Sequence, residues 1–108
     1  ILGLSADDWA IAYHSRFEDS RAWAAPHPKT ILASWADKGV SRIALVTPGF
    51  AADCLESLYD IASVAKHYFE ERCEANKKIP DVTYIPALNS RADHIDLLFD
   101  EIVKKAEL

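Results

Sequence analysis

The sequence predicts an α/β fold: a three-layer arrangement around a parallel sheet, with element order β-α-β-α-β-α. Three observations predict it. Short apolar runs rich in β-branched residues recur along the chain, as buried parallel strands do. Stretches with apolar residues at helical spacing separate them. Proline, glycine or a capping residue stands at nearly every junction. Such alternation makes a parallel sheet with right-handed crossovers.

In chain order, Ile1 to Leu4 reads as the last turn of a helix, with Gly3 near its end, and the chain does not open on Met. Both features suggest one part of something longer. Ser5 to Asp8 is a polar link. Trp9 to His14 is the first expected strand, with Ile11 and Tyr13 on one face and Ala10 and Ala12 on the other. Ser15 to Pro28 has no helical period, and a loop of that length at a strand's carboxyl end is usually functional. Lys29 to Lys38 is a short helix with Thr30 as a cap, an Ile31, Leu32 and Trp35 stripe, and Gly39 as its stop. Arg42 to Val46 is the second strand. A long helix from Asp53 to about Asn76 follows, burying Leu55, Leu58, Ile61, Ala62, Ala65 and Phe69. Val82 to Ile85 is the third strand. Asn89 or Ser90 then caps a final helix over Ala92–Lys105, whose Ile95, Leu98, Phe99 and Ile102 face the sheet.

The 108 residues suit one domain, and 50% hydrophobic with 27% charged residues is ordinary for a globular chain. A net charge of −5 with no basic cluster argues against nucleic acid as a partner. No apolar run reaches membrane-spanning length, and no secretory signal is visible. Cys54 and Cys73 lack zinc-ligand spacing and are too few for a disulfide framework, so they read as reduced thiols of a cytoplasmic protein.

The stretch from Val46 to Asp60 carries the functional signal. It reads as strand end, turn and helix start, and ligands of open parallel sheets bind outside the carboxyl ends of the strands. Pro48 ends the strand, and Gly49 permits a turn that a side chain could forbid. Asp53 and Glu56 have capping-box spacing. Glu56 and Asp60 share one helix face, where two acids repel unless they meet water or a cation. On spacing alone, capping and a solvated acid remain the simpler reading.

The residues Pro48-Gly49-Phe50, Asp53-Cys54-Leu55-Glu56 and Ser57-Leu58 resemble the signature of ferrochelatases. Ser15-Arg16-Phe17, Trp23 with Pro26, and Ile85-Pro86-Ala87-Leu88-Asn89 extend the resemblance over nearly the whole chain. It corresponds to the C-terminal third or so of such an enzyme. The resemblance implies that residues 1–108 are the C-terminal α/β domain, one half of a two-domain chelatase fold with the active cleft between the halves. The implied reaction inserts Fe²⁺, as substrate, into protoporphyrin IX.

It further implies that Glu56 is metal ligand and proton acceptor and that Asp60 is the second acid of a row along the helix. Ser15, Arg16 and Trp23 would line the porphyrin cleft. Tyr13, His14 and Phe50 are expected to border it by their positions at a strand end and a turn, although no His of this chain sits in the family's matching context. Arg16 suits a propionate because its planar fork takes two oxygens, and Trp23 offers a face for stacking. Trp9 and Trp35 are expected to pack, His67 and His94 to lie on the surface, and His27 has no assigned role. Two departures stand out. The family's catalytic His lies in a segment this chain does not contain, so the piece alone is expected to be inactive. The third acid of the row falls at Val64, unless a π-helical register like that of family members shifts the face. No iron–sulfur cluster is expected in this segment, because the cysteines of a C-terminal extension are not in it. The expected partners are the porphyrin and the N-terminal domain of the same enzyme, with peripheral membrane contact left open. A cobalt- or nickel-inserting tetrapyrrole chelatase and a non-catalytic α/β binding module remain as alternatives.

Overall fold

The computed structural model describes residues 2–14, 22 and 24–106. After a 3₁₀ turn at Ala6–Asp8 come α1 (Pro28–Asp37), β1 (Arg42–Val46), a π-helical segment (Glu56–Ala65) running directly into α2 (Lys66–Ala75), β2 (Asp81–Ile85) and α3 (Ala92–Ala106). β1 and β2 pair in parallel, from Arg42 opposite Asp81 to Val46 opposite Ile85. The α/β class and the parallel pairing therefore hold.

The first expected strand does not form. Among the described residues the sheet has two strands, and residues 9–14 join neither. The Tyr13 amide donates instead to the Pro26 carbonyl at 2.9 Å. β-propensity favours extended backbone, but a strand also needs an edge to pair with. Trp9, expected to pack, is 53% exposed.

α1 begins earlier than expected, with Pro28 in its first turn and His27 as the cap, its Nδ1 accepting the Lys29 amide at 3.3 Å. Proline at the first helical position has no amide to satisfy and its φ is already helical, so the start moves from Thr30 to His27. The helix closes as expected at Gly39, φ +89°, with Val40 N–H on Trp35 O at 3.0 Å and Gly39 N–H on Ala36 O at 3.0 Å.

The long helix differs in register. Its buried positions are Ser57, Ile61, Ala65, Phe69 and Cys73, a strict four-residue repeat. In an α-helix each such step turns about 40° too far, so the row would spiral off the core. A π-helix has about 4.4 residues per turn, so the same step falls about 33° short. Two π steps from Ser57 to Ala65 and two α steps from Ala65 to Cys73 nearly cancel, which keeps the row on one face. The π character is explicit where Lys66 N–H reaches Ile61 O, five residues back. Leu55 and Leu58, inside on an all-α reading, are 77% and 54% exposed.

The core comprises Phe69, Cys73, Ile61 and Ala65 against Leu32 and Ala36 of α1 and Ile43 of β1. Arg72 forks onto Asp37, with Nε–Oδ1 3.0 Å and an outer nitrogen 2.7 Å from Oδ2, and Asn76 Nδ2 donates to the Ala36 carbonyl at 3.2 Å, joining the ends of α1 and α2. Among the described residues only one face of the sheet is covered. Ile43, Leu45, Val82 and Tyr84 point to the core, whereas Ala44, Val46, Thr83 and Ile85 are exposed. The apolar row of α3 is likewise exposed and does not face the sheet, since two strands form a strip too narrow to seat it. No helix among the described residues is long and apolar enough to cross a membrane.

Candidate active site

β1 ends in a turn, Thr47 to Phe50, closed by Phe50 N–H on Thr47 O at 3.1 Å. Gly49 is not in the left-handed region, and a Cβ there would meet nothing within 4 Å, so this turn does not require glycine. The loop after β2, from Pro86 to Arg91, lies alongside, because neighbouring parallel strands release their chains at the same end of the sheet.

Asp53 joins the two loops. Its Oδ1 accepts from Tyr84 OH at 2.8 Å and from Ser57 Oγ at 2.8 Å, with Ala87 N–H at 3.4 Å. Its Oδ2 accepts from Asn89 Nδ2 at 2.8 Å, and its own amide donates to Asn89 Oδ1 at 2.8 Å. Thr47 Oγ1 lies 3.2 Å from Tyr84 OH and completes the chain of hydroxyls. Donation from Asn89, then Tyr84, then Ser57 and Ala87 favours the carboxylate and holds the Asp53 pKa down at about 2.

This arrangement corrects the capping-box reading. Asp53 caps no amide of the helix, and the amide that Glu56 would have taken in such a box is engaged by Asn89. Ser57 Oγ accepts the Cys54 amide at 2.9 Å in its place.

Glu56 and Asp60 open the π-helical segment, both half-buried. Asp60 Oδ2 is 3.3 Å from His14 Nε2. The His14 ring is 5.5 Å from that of His27, tilted by 47°. Burial, then the neighbouring His14 and Lys29, hold the His27 pKa below the usual histidine range. The π register does not restore a third acid: one π turn beyond Asp60 falls between Val64 and Ala65, both apolar. Among the described residues the structure thus sets an imidazole beside Asp60.

Of the other expected cleft residues, Tyr13 and Phe50 are 45% and 37% exposed. Ser15, Arg16 and Trp23 lie outside the described residues. An open groove of about 560 Å³, lined by Tyr59, Val64, Tyr68 and Lys29 among others, lies further along the helix and is not lined by Glu56 or Asp60. Among the described residues, no group of three or more His, Cys, Asp or Glu could hold a metal ion, so a metal at Glu56 needs donors from elsewhere.

His67 is exposed as expected. His94 is not: it is 8% exposed, and its Nδ1 donates to the Asn89 carbonyl at 2.7 Å. Its burial follows from that bond, which satisfies the ring at the start of α3. Asn89, Tyr84 and His94 are the residues sequence reasoning missed. The signal for Asn89 is present in the Ile85–Asn89 stretch, which the sequence offers as a strand end, a turn, a cap and part of the family resemblance, with no role for the side chain.

Fold and site together define an α/β protein in which Asp53, Glu56 and Asp60 follow the carboxyl end of a parallel strand, the usual ligand edge of that class. A family profile for Ferrochelatase matches residues 1–106, and the chain belongs to the ferrochelatase family. It is 37% identical over 97 residues to a ferrochelatase of Acinetobacter baylyi, covering 90% of this chain and 27% of that protein. It is 38% identical over 104 residues to one of Hydrogenovibrio crunogenus, covering 96% of this chain and 26% of that protein. The chain therefore spans about a quarter of the length of the curated relatives it matches. No solved structure gives a significant match.

Proposed function

We propose that this chain is the C-terminal α/β part of an enzyme that inserts Fe²⁺ into protoporphyrin IX, giving protohaem and two protons. The observation that carries this reading is the pair Glu56 and Asp60 on successive turns of a π-helical segment, where the amide of a competing capping box is engaged by Asn89. π-Helical turns are rare and frequently lie at functional sites. Family membership supports the same reading.

Metal insertion removes two protons from pyrrole nitrogens and delivers a cation from ligands that must release it. In this reading Glu56 touches the metal and accepts a proton. Asp60 takes the proton onward to His14, whose Nε2 is 3.3 Å away. Fe²⁺ is substrate and leaves with the product. Arg16 holds a propionate, Trp23, Tyr13 and Phe50 hold the macrocycle, and the second half of the cleft comes from an N-terminal domain. The protein works in the cytoplasm, with peripheral membrane contact as a further part of the proposal.

Glu56→Gln in the full-length protein tests this reading. We expect Fe²⁺ insertion to fall by about 100-fold or more, since a general base and a metal ligand are lost together. Ordinary turnover by that variant would refute it. Insertion of Co²⁺ in preference to Fe²⁺ would move the assignment to another tetrapyrrole chelatase.

A further inference from the structure

Asn89 is an exposed residue in the left-handed region, φ +50°, yet each of its polar groups is engaged. Its amide donates to Ala51 O at 3.0 Å and its carbonyl accepts from His94 Nδ1 at 2.7 Å. Its Oδ1 accepts the Asp53 amide at 2.8 Å, and its Nδ2 donates to Asp53 Oδ2 at 2.8 Å and to Ala87 O at 3.0 Å. A left-handed φ is a conformation that asparagine tolerates better than most residues. The side-chain amide is therefore locked by bonds to both loops, while its backbone is held by the loop after β1 and by α3.

The object of this lock is the entry to the π-helical segment. Asp53 lies three residues before Glu56, and its carboxylate is shared between Asn89, Tyr84 and Ser57. Ser57, next to Glu56, is fully buried and tied to both Asp53 and Cys54. The segment flanking Glu56 thus has its direction set by charge-assisted bonds from the loop after β2, which are shorter and stronger than neutral ones.

We propose that Asn89, held by His94 and joined by Tyr84, is a positioning residue that fixes the aim of Glu56 through the Asp53 carboxylate. This rests on the role of Glu56 in the reading above. Groups that orient a catalytic ligand without touching substrate typically matter by about 10- to 100-fold.

The test uses the full-length protein with protoporphyrin IX and Zn²⁺ or Fe²⁺. Asn89→Gly keeps the left-handed backbone and removes the amide; kcat is expected to fall about 10- to 100-fold, with the porphyrin KM within about 2-fold. Asn89→Asp keeps the size but sets carboxylate against carboxylate, and is expected to lose at least as much. Tyr84→Phe, which keeps the ring in the core, is expected to lower kcat less, and it decides the matter if Asn89→Gly does not fold. Arg72→Ala removes a comparable clamp far from the site, on Asp37. It is expected to lower thermal stability and leave kcat unchanged. Unchanged kcat in Asn89→Gly and Tyr84→Phe, wild-type behaviour of Asn89→Asp, or an equal loss in Arg72→Ala would overturn the proposal. Ordinary turnover by Glu56→Gln is a separate failure, that of the underlying reading.

Discussion

Asp53 shows how little a residue's type says about its work. Its spacing to Glu56 suits a capping box, but the carboxylate faces three side-chain donors from two segments. The consequence for stability has a definite sign. A carboxyl with a folded pKa of about 2 and an unfolded one near 3.9 stabilises the fold above the unfolded value and stops doing so as pH falls through the folded one. Wild-type stability should therefore drop between about pH 4 and 2, with part of that slope due to Asp53. Asp53→Asn should be less stable at pH 7, and the gap should close towards pH 2. Urea melts at several pH values, read by circular dichroism, check this; a gap that stays constant with pH would count against the clamp. Of the three donors only Ser57 is local; nothing local predicts Tyr84 and Asn89, which are more than thirty residues away.

At the scale of elements the instructive case is the helix after β1. Apolar residues at i, i+3 and i+4 pointed to an α-helix that buries Leu55 and Leu58. The same stretch also holds a four-residue repeat, Ser57, Ile61, Ala65, Phe69 and Cys73, and the π-to-α change brings that repeat onto the core. Periodicity is read against an assumed turn, so a changed turn moves the buried face. Truncation separates the two registers. Ile61→Ala should cost about 2–5 kcal/mol and Leu58→Ala within about 0.5 kcal/mol, since one leaves a cavity and the other trims an exposed side chain. Denaturant titrations of this chain, kept dilute enough to be monomeric, give both numbers; the reverse ranking would restore the all-α register.

At the scale of the molecule the chain is open. Its accessible surface is 8275 Å², against about 6000 Å² for a compact protein of 12.0 kDa. Its radius of gyration is 16.9 Å, against about 13 Å for a compact chain of this length. The excess is partly apolar: Phe99 is 65% exposed, Ile102 62%, Ile95 50% and Leu98 44% on one face of α3. A face of that kind is an interaction surface or an aggregation liability. The isolated chain is expected to bind a hydrophobic dye strongly and to associate at micromolar concentration. The full-length protein is expected to do neither. Dye fluorescence and sedimentation compare them, and a dye-silent monomer of the isolated chain would contradict this.

The sequence by itself determined the α/β class, β1, β2, α1 and α3 to within a few residues, the extent but not the π-helical half of the long helix, the Gly39 stop and the ferrochelatase resemblance. These follow from local propensity, from periodicity and from short motifs, which are written over a few neighbouring residues. Tertiary structure alone decided the unpaired segment at residues 9–14, the burial of His94, and the bonds that turn Asp53 from a cap into a clamp. A strand needs an edge, a buried ring needs an acceptor and a carboxylate needs donors. The edge and the Asp53 donors Tyr84 and Asn89 depend on chain brought close only by folding, and the His94 acceptor, five residues back, depends on the left-handed turn at Asn89.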